Sequence, residues 1–503
     1  MATPTVPTNQ LFRTKSIDVL IAASQEPGHC LKKTLGPWSL TAFGIGAVIG
    51  SGIFTLTGTA AAGKTEKIHS ILNATILDLI TQGAHAGSTM GRPGAGPAIT
   101  LSFVLVAIAC AFAGLCYAEL ASMIPIAGSA YTYAYATLGE IFAWIIGWDL
   151  ILEYAVSNMS VAVGFSAYLQ DLFDSLFGFH LPAAIAYPLI PAVGQPGGVF
   201  NVPALVITML VTWVLVRGVR ESAGANSAMV GIKIVAILIF CFGAAGAIHP
   251  ENWHPFAPHG FSGVLTGASI VFFTYIGFDS VSTAAEECKM PQRDLPLGIM
   301  LTLIICTILY ASVSLVLTGI MPFDKLGTDA PVADALKSLG YTRLRIIVTA
   351  GALMGMLSSL LVYQYGQARV WFAMSRDRLL PGLFSKVHKT YQTPHISTWI
   401  AGIVVGVPAG IWDIDTLAEL SNIGTLFAFA LVSAGVIALR RTQPERPRSF
   451  KVPLVPLLPI VSIACCLVLM MGLPLLTWIR FFVWLIIGLF IYFLYSKRRS
   501  ELA

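Results

Sequence analysis

The chain has 503 residues, of which 56% are hydrophobic and only 11% are charged. Soluble domains carry about 25% charged residues, so this composition excludes an ordinary water-soluble protein and predicts a polytopic membrane protein surrounded by lipid. The net charge of +5 is explained by membrane orientation, and no nucleic-acid partner is needed to account for it.

Twelve apolar stretches follow one another along the chain, and most are near the ~20 residues that cross ~30 Å of hydrocarbon. We therefore expect an all-α integral membrane protein with twelve transmembrane helices. The predicted spans are residues 38–62, 98–121, 141–170, 199–216, 222–248, 261–285, 295–321, 346–368, 396–412, 420–439, 454–477 and 479–496.

Basic residues are distributed unevenly between the two sides of these spans. The side that holds both termini carries 21 Lys and Arg residues, the other side carries 8, and Lys233 lies within span five. By the positive-inside rule, both termini are expected in the cytoplasm. The predicted location is the plasma membrane, which is the inner membrane of a bacterial cell.

Spans one and six each contain a break where a membrane helix should be continuous. The first break is Gly50-Ser51-Gly52, and the second runs from Tyr275 to Phe278. Backbone polar groups freed in a bilayer need protein, water or a ligand as partners. Two breaks at matching places in two halves of a chain predict a solute site between discontinuous helices.

The first ten spans divide into two sets of five, and an odd number of spans inverts the second set relative to the first. Five segments are therefore expected. They are a cytoplasmic tail (1–37), a first repeat (38–248) with an outer loop (63–97), a second repeat (249–440), two added helices (441–496) and a second cytoplasmic tail (497–503).

The first break suits an anion. The half-helix expected to begin near Ile53 presents the N–H groups of Ser51, Gly52 and Ile53 at the positive end of its dipole, where a carboxylate binds well. Glycine at positions 50 and 52 permits unwinding and close approach of a ligand. A small-residue face for helix packing is the alternative.

The second break suits a cation, because carbonyl groups freed near Phe273 and Ile276 supply acceptors for an ammonium group. Together the two breaks match the backbone of a zwitterionic α-amino acid. The substrate's side chain is therefore recognised by other residues.

Placing an ionisable side chain inside a membrane span costs free energy, so each such residue is a candidate for a functional role. Lys233 lies about 16 Å along the helix from Ser222, which is too deep for easy access to the surface unless span five begins later. Asp149 and Glu153 share one helix face and would hold a cation, share a proton, or line a polar network away from substrate. Asp279 is expected to act as a gate or charge partner, and Glu119 belongs to the same set of candidates.

Five segments resemble the amino acid-polyamine-organocation (APC) transporter superfamily, and within it the bacterial members of the cationic amino acid transporter group. The resemblance extends from Lys32 to about Arg499. The segments are residues 44–54 (GIGAVIGSGIF), 117–131 (YAELASMIPIAGSAY), 147–154 (GWDLILEY), 275–287 (YIGFDSVSTAAEE) followed by 291–294 (PQRD), and 366–370 (GQARV) followed by 374–377 (MSRD).

The resemblance implies a LeuT-like fold of five plus five inverted helices with two added, and alternating access to a central amino acid. It implies that Lys233 occupies the place of a sodium ion in sodium-coupled relatives, that Phe273 covers the substrate, and that Asp279 is a gating acid. The residues expected to form the substrate site are Val48, Ile49, Gly50, Ser51, Gly52, Phe273, Ile276 and Gly277. Tyr363 of span eight is added to them as the residue near the substrate's side chain.

The expected function is proton-coupled uptake of small neutral amino acids such as alanine, because Tyr363 is bulky and no added acid is visible beside Met356 and Ser359. Transport of cationic amino acids, amino acid exchange and a membrane sensor are the alternatives. No enzymatic activity, catalytic residue, metal site or cofactor other than the proton is expected. A small membrane subunit, sterol or lipid as a further partner is left open.

Overall fold

The computed structural model describes residues 10–18, 21, 35–63, 72, 74–82, 92–126, 129–191, 196–218, 222–391 and 393–500. Within these ranges the chain is helical and forms isolated bridges but no strand. Eight of the described helices are long and apolar enough to cross a membrane, and a bent pair counted as one span brings the number to nine. Three shorter apolar helices coincide with the predicted spans four, nine and eleven.

We number the principal α-helices in chain order. They are α1 (Pro37–Val48), α2 (Ser51–Ala62), α3 (Ile76–Gln82), α4 (Ile99–Met123), α5 (Ser129–Thr137), α6 (Glu140–Phe177), α7 (Val202–Arg217), α8 (Ser222–Ala244), α9 (Gly260–Val271), α10 (Pro291–Ile320), α11 (Pro331–Ser338), α12 (Thr342–Arg376), α13 (His395–Ala409), α14 (Ile414–Thr442), α15 (Leu457–Met471) and α16 (Leu475–Ile491).

Several helices are longer than hydrophobicity predicts, and α6 and α12 are the longest of them. α6 has 38 residues and α12 has 35, whereas the predicted spans end near residues 170 and 368. Both continue through polar residues, because the helical hydrogen-bond ladder does not stop where the apolar stretch stops. α6 ends at Gly178, which adopts a left-handed conformation (φ +59°) that glycine tolerates without strain.

The helical ladder is interrupted in the first predicted span. α1 ends at Val48, α2 begins at Ser51, and the two axes differ in direction by 48°. The half-helix therefore starts two residues earlier than the sequence suggests, and Ser51 and Gly52 already belong to its first turn. Ile49 adopts an extended conformation (ψ 91°), which ends the first ladder.

In the second predicted break, α9 gives way to a 3-10 turn over Phe272–Tyr275, and a 3-10 helix follows over Phe278–Glu287. Between them Gly277 has φ +113°, a conformation that L side chains rarely adopt. The segment after the break is thus wound more tightly than the α-helix that was expected. Its backbone hydrogen bonds run over three residues instead of four.

α6 is central to the packing, because it contacts both α12 and α14 along their lengths, while α10 packs on α4. α16 joins α6 through Trp148 and Trp484. Their rings stack with centroids 4.4 Å apart, and each indole N–H donates to the other residue's backbone carbonyl, at 2.9 and 3.1 Å. The last helix is therefore attached directly to the middle of the bundle.

Backbone hydrogen bonds tie the described part of the outer loop to the bundle. The Ala95 N–H donates to the Ala60 carbonyl at 3.0 Å, and the Leu475 N–H donates to the Ala74 carbonyl at 2.9 Å. α3 begins at Ile76, where Thr75 and Asp78 exchange side-chain and backbone hydrogen bonds in a capping arrangement. The helix then continues to Gln82.

Candidate functional site

The first interruption leaves backbone donors without partners in the helix. The N–H groups of Ser51, Gly52 and Ile53 lie in the first turn of α2, where no preceding carbonyl can accept from them. These residues are buried, and the Ser51 hydroxyl has no hydrogen-bond partner. A buried helix start of this kind can accept a carboxylate.

Lys233 reaches this interruption from α8. Its side chain is fully buried, and Nζ donates to the carbonyls of Gly46 and Ile49, each at 2.8 Å. The Gly46 carbonyl lies in the last turn of α1 and the Ile49 carbonyl directly follows that turn, so both lie at the negative end of the helix dipole. The structure therefore places Lys233 beside the broken helix.

Ser359 of α12 shares the same acceptors. Its hydroxyl lies 3.1 Å from the carbonyls of both Gly46 and Ile49. A Cβ atom at Gly50 would lie 3.0 Å from this hydroxyl, and one at Gly355 would lie 3.2 Å from both the Cβ and the Cδ atoms of Lys233. Glycine at both positions thus lets α12, the interruption and Lys233 meet closely.

Tyr310 of α10 connects the two interruptions. Its hydroxyl lies 3.1 Å from the Val48 carbonyl and 2.8 Å from the Thr274 carbonyl. On the other side, the Tyr363 hydroxyl donates to the Ile276 carbonyl at 2.9 Å. The Val48 and Ile276 carbonyls, expected to bind a substrate amine, therefore already accept from tyrosines. Each carbonyl retains a second lone pair for a ligand.

Phe273 closes the space between the interruptions. A Cβ atom on Gly52 would lie 3.2 Å from the Phe273 ring and 3.1 Å from the Thr274 Cα. Phe273 is 3% exposed, and its carbonyl accepts from the Ile276 N–H at 3.2 Å. The two breaks are therefore in direct contact and shielded from solvent. The substrate roles of these residues remain predictions.

Three acids lie on the other side of Tyr363. Asp279 and Glu153 are each 2% exposed, Asp149 is fully buried, and Glu153 interacts electrostatically with both aspartates. Neither oxygen of Asp149 has a hydrogen-bond partner, and within the described ranges no Lys, Arg or His side chain forms an ion pair with any of the three. A group of this kind can hold protons or accept a cation.

Glu119 lies in a different network. Its carboxylate, 1% exposed, accepts from Arg440 Nε and Nη2 at 2.8 Å each and from the Val452 N–H at 2.7 Å. Arg448 Nε lies 3.2 Å from it. These contacts fasten α4 to the end of α14 and the chain that follows. Glu119 thus belongs to a charge network at the C-terminal ends of α4 and α14, away from the interruptions.

Groups of three or more His, Cys, Asp or Glu side chains arranged to hold a metal ion are absent from the part of the chain that the structure describes. The site is instead built from backbone carbonyls and N–H groups, hydroxyls and one lysine. This donor set suits a small zwitterion.

Apolar helices interrupted at two buried breaks that contact each other are the architecture of a membrane permease for small solutes. The family model for amino acid permeases matches residues 35–495, and the chain belongs to that family.

Several relatives match over most of their length. The branched-chain amino acid permease BcaP of Bacillus subtilis is 47% identical over 98% of this chain and 99% of its own. The methylthioribose transporter of the same organism is 45% identical over 98% and 99%. Cationic amino acid transporter 9 of Arabidopsis thaliana is 40% identical over 83% of this chain and 68% of its own. The resemblance to cationic amino acid transporters and the APC superfamily is thereby confirmed.

Two residues that hydrogen-bond to carbonyls at the interruptions were not predicted to do so. Tyr310 lies in an apolar stretch with nothing to mark it except a hydroxyl at membrane depth, a signal that could have been used. Ser359 was placed near a side-chain pocket, whereas its hydroxyl faces the carbonyls beside Lys233. Both contacts join residues far apart in sequence.

Proposed function

We propose that the chain crosses the membrane twelve times, with both termini in the cytoplasm of a plasma-membrane transporter. The three shorter apolar helices (α7, α13 and α15) would supply the remaining spans. Spans one to five and six to ten would form inverted repeats within residues 38–248 and 249–440, in a LeuT-like arrangement with two helices added. The distribution of Lys and Arg supports this orientation.

Within that architecture, the protein would be a proton-coupled symporter that takes up neutral L-amino acids by alternating access. The observation that carries this proposal is the pair of 2.8 Å hydrogen bonds from Lys233 to the carbonyls of Gly46 and Ile49. An ammonium group donates three strong hydrogen bonds, and loss of its proton removes one donor and the charge. Protonation of Lys233 would therefore control the shape of the interruption at which substrate binds.

The coupling has a direct physical route. A charged Lys233 holds α1 in place and leaves the first turn of α2 open to a substrate carboxylate. A neutral Lys233 binds the same carbonyls more weakly, so the joint between α1 and α2 can move. A fixed ammonium at this place would also repel a sodium ion, which makes the proton the better coupling ion.

The substrate side chain would face Tyr363. This residue fills space between the second interruption and Tyr154, whose ring centroid lies 6.2 Å from its own. A bulky phenol leaves room for a small or branched neutral side chain. The branched-chain amino acid permease of Bacillus subtilis, 47% identical, supports valine, leucine and isoleucine as substrates beside alanine.

A cationic amino acid is the second candidate, and one observation favours it. Tyr363 interacts electrostatically with Asp279 and Glu153, so acids do lie near the expected side-chain pocket, although the sequence suggested none. A lysine or arginine side chain reaching past Tyr363 would meet these carboxylates.

The test is uptake of labelled alanine, leucine and arginine into liposomes containing the purified protein, with and without an inward proton gradient. Accumulation of alanine or leucine that requires the gradient would support the proposal. Uptake that requires internal amino acid would identify an exchanger, and preference for arginine would favour the second candidate. Binding without transport would indicate a sensor.

A further inference from the structure

A basic patch lies where the end of α12 meets the chain that follows α16. Ser496 joins the two parts, because its hydroxyl donates to the Leu379 carbonyl at 2.7 Å. Nothing in the proposed transport mechanism uses this surface. We define the basic patch by five residues, of which Lys497 is half-buried and the others are exposed: Arg376, Arg378, Lys497, Arg498 and Arg499.

The chain after α16 is held against the bundle by one face. It begins with a π-helical turn over Tyr492–Ser496. The Tyr492 hydroxyl donates to Glu140 Oε1 at 2.9 Å, and the Ser500 hydroxyl donates to Oε2 of the same carboxylate. Tyr492, Ser496 and Ser500 are four residues apart and buried, so they share the inward face. The basic residues between Ser496 and Ser500 therefore lie on the outward faces.

Most arginines of the patch have no acidic partner within the protein. Asp377, the acid that lies between two of them in sequence, is already bound by Lys15 Nζ at 2.8 Å and by the Tyr131 hydroxyl at 2.6 Å. In the described part of the chain, three side chains of the patch form no hydrogen bond or ion pair: Arg376, Arg378 and Arg498. Their charges are therefore available to an external anion.

Arg378 has an unusual backbone conformation as well. Its φ of +59° lies in the left-handed region, which residues other than glycine rarely adopt. The turn directs the next residue inward, since Leu379 is fully buried and its N–H donates to the Met374 carbonyl at 2.9 Å. The positive-inside rule accounts for the sign of the patch. It does not account for a strained arginine where glycine would fit, and such strain is a reason to look for a function.

Apolar and aromatic side chains lie directly beside the basic ones. Phe493 is 47% exposed and Leu494 is 57% exposed. Lys497 Nζ lies 5.7 Å from the centroid of the Phe493 ring, and the Arg499 guanidinium lies 4.6 Å from that of Tyr495. Exposed apolar residues followed at once by basic ones match the boundary between lipid hydrocarbon and headgroups.

We propose that the basic patch binds the phosphate headgroups of anionic phospholipids, while Phe493 and Leu494 contact the acyl chains. A guanidinium group holds a phosphate through paired hydrogen bonds, which suits arginine to this partner. Because the patch combines residues of α12 with residues that follow α16, a bound lipid fastens the two helix ends together. This inference concerns neither the amino acid substrate nor proton coupling, so it goes beyond the proposed function.

The test is thermal melting of the full chain in nanodiscs of phosphatidylcholine alone and of phosphatidylcholine mixed with phosphatidylglycerol. Native mass spectrometry of the same samples counts the phosphatidylglycerol that stays bound. The variants are the double variant Arg376→Gln with Arg498→Gln, and the single variant Arg378→Gly. The matched control is Arg441→Gln with Lys451→Gln, which removes two exposed basic residues near the end of α14.

Phosphatidylglycerol should raise the melting temperature of the wild type and the control by several degrees. The double variant should melt like the wild type in phosphatidylcholine, lose most of this gain, and bind phosphatidylglycerol at least about tenfold more weakly. Arg378→Gly should melt above the wild type in phosphatidylcholine, because glycine accepts the left-handed conformation, and yet gain less from phosphatidylglycerol. Inorganic phosphate added to phosphatidylcholine nanodiscs should not reproduce the gain.

An equal gain in the wild type and the double variant would overturn the site. An equal loss in the control would overturn it too, because any basic residue would then serve. A gain reproduced by inorganic phosphate would show that the ligand is not a lipid. Uptake of amino acids in proteoliposomes is measured separately, and its absence in every lipid would contradict the proposed function while leaving the basic patch untouched.

Discussion

The Nζ atom of Lys233 lies 2.8 Å from the carbonyl oxygen of Ile49, the residue at which the first apolar helix is interrupted. A single fully buried cation is thus bonded to the end of one half-helix, a few residues before the next begins.

Substituting Lys233 with alanine should abolish proton-driven accumulation. The ammonium that responds to protons would be gone, while the N–H groups of Ser51 and Gly52 that would bind a carboxylate remain. Equilibrium binding of leucine should therefore fall by less than about tenfold. Paired measurements of gradient-driven uptake and of binding check this. Unchanged accumulation would remove Lys233 from the coupling mechanism.

Replacing Tyr310 with phenylalanine should destabilise the folded protein by about 1–2 kcal/mol, because its hydroxyl serves two buried carbonyls that no new donor replaces. Leucine should restore part of the lost melting temperature if it binds at the Val48 carbonyl. Ser312→Ala is a suitable control, since that hydroxyl lies on the same helix and bonds only within it. Equal melting temperatures for Tyr310→Phe and wild type would contradict the bridging role.

Tyr363→Ala should widen the range of substrates toward longer side chains, since the phenol occupies the space beside the second interruption. Tyr363→Phe keeps the ring and loses only the bond to the Ile276 carbonyl, so it should preserve selectivity while lowering affinity. Competition of labelled alanine uptake by leucine, phenylalanine and arginine would measure the change. Identical competition profiles for Tyr363→Ala and wild type would locate the specificity pocket elsewhere.

Glu119→Gln should lower stability by about 3–5 kcal/mol, because it leaves Arg440 and the buried Arg448 without their carboxylate. Asp18→Asn offers a contrast. It removes the partner of Arg446 where the aspartate side chain is 78% exposed, so its effect should stay below ~1 kcal/mol. Thermal melting of both variants in the same detergent compares the two pairs. Similar losses would mean that burial of Glu119 does not determine its contribution.

Asp329, in the loop between α10 and α11, predicts a pH dependence of stability. Burial, together with Asp415, Asp413 and Asp334, raises its pKa to about 7. The protonated form is thus favoured in the folded state, so stability is greatest below the unfolded pKa near 4 and falls as pH rises toward about 7.

Asp329→Asn should therefore match wild type near pH 4 and melt at a higher temperature near pH 8. Asp324→Asn changes an exposed acid of the same loop and serves as the control. Melting curves across this pH range would test the prediction, which fails if the gap between Asp329→Asn and wild type does not widen with pH.

Local chemistry made part of the site predictable. Glycine flanking Ser51 marked the interruption, because only small residues allow the backbone to unwind and α12 to approach. The depth of Lys233 was calculable because α8 begins at Ser222, as the sequence suggested. The helix start was misplaced by two residues, since Ser51 and Gly52 are weak helix formers held in a first turn by surrounding contacts.

Contacts between distant residues were not predictable in the same way. Nothing in the local sequence joins Tyr310 to Val48, or Ser496 to Leu379, because each pairing depends on how separate helices pack. The 3-10 winding after Gly277 was not predicted either, although the contacts that support it are local. Its side chains Ser280, Ser282 and Thr283 bond back to carbonyls three residues earlier, which supports the tighter coil.

The paired indoles of Trp148 and Trp484 bear on how motion in this protein can be measured. Two stacked rings and two reciprocal hydrogen bonds attach α16 to α6. A spectroscopic label on the lipid-facing side of α16 would therefore provide a reference position that stays fixed relative to α6. Ile486, 65% exposed, is a position for such a label. Distances from it to labels on α2 and α9 would separate movement of the half-helices from tumbling of the whole molecule.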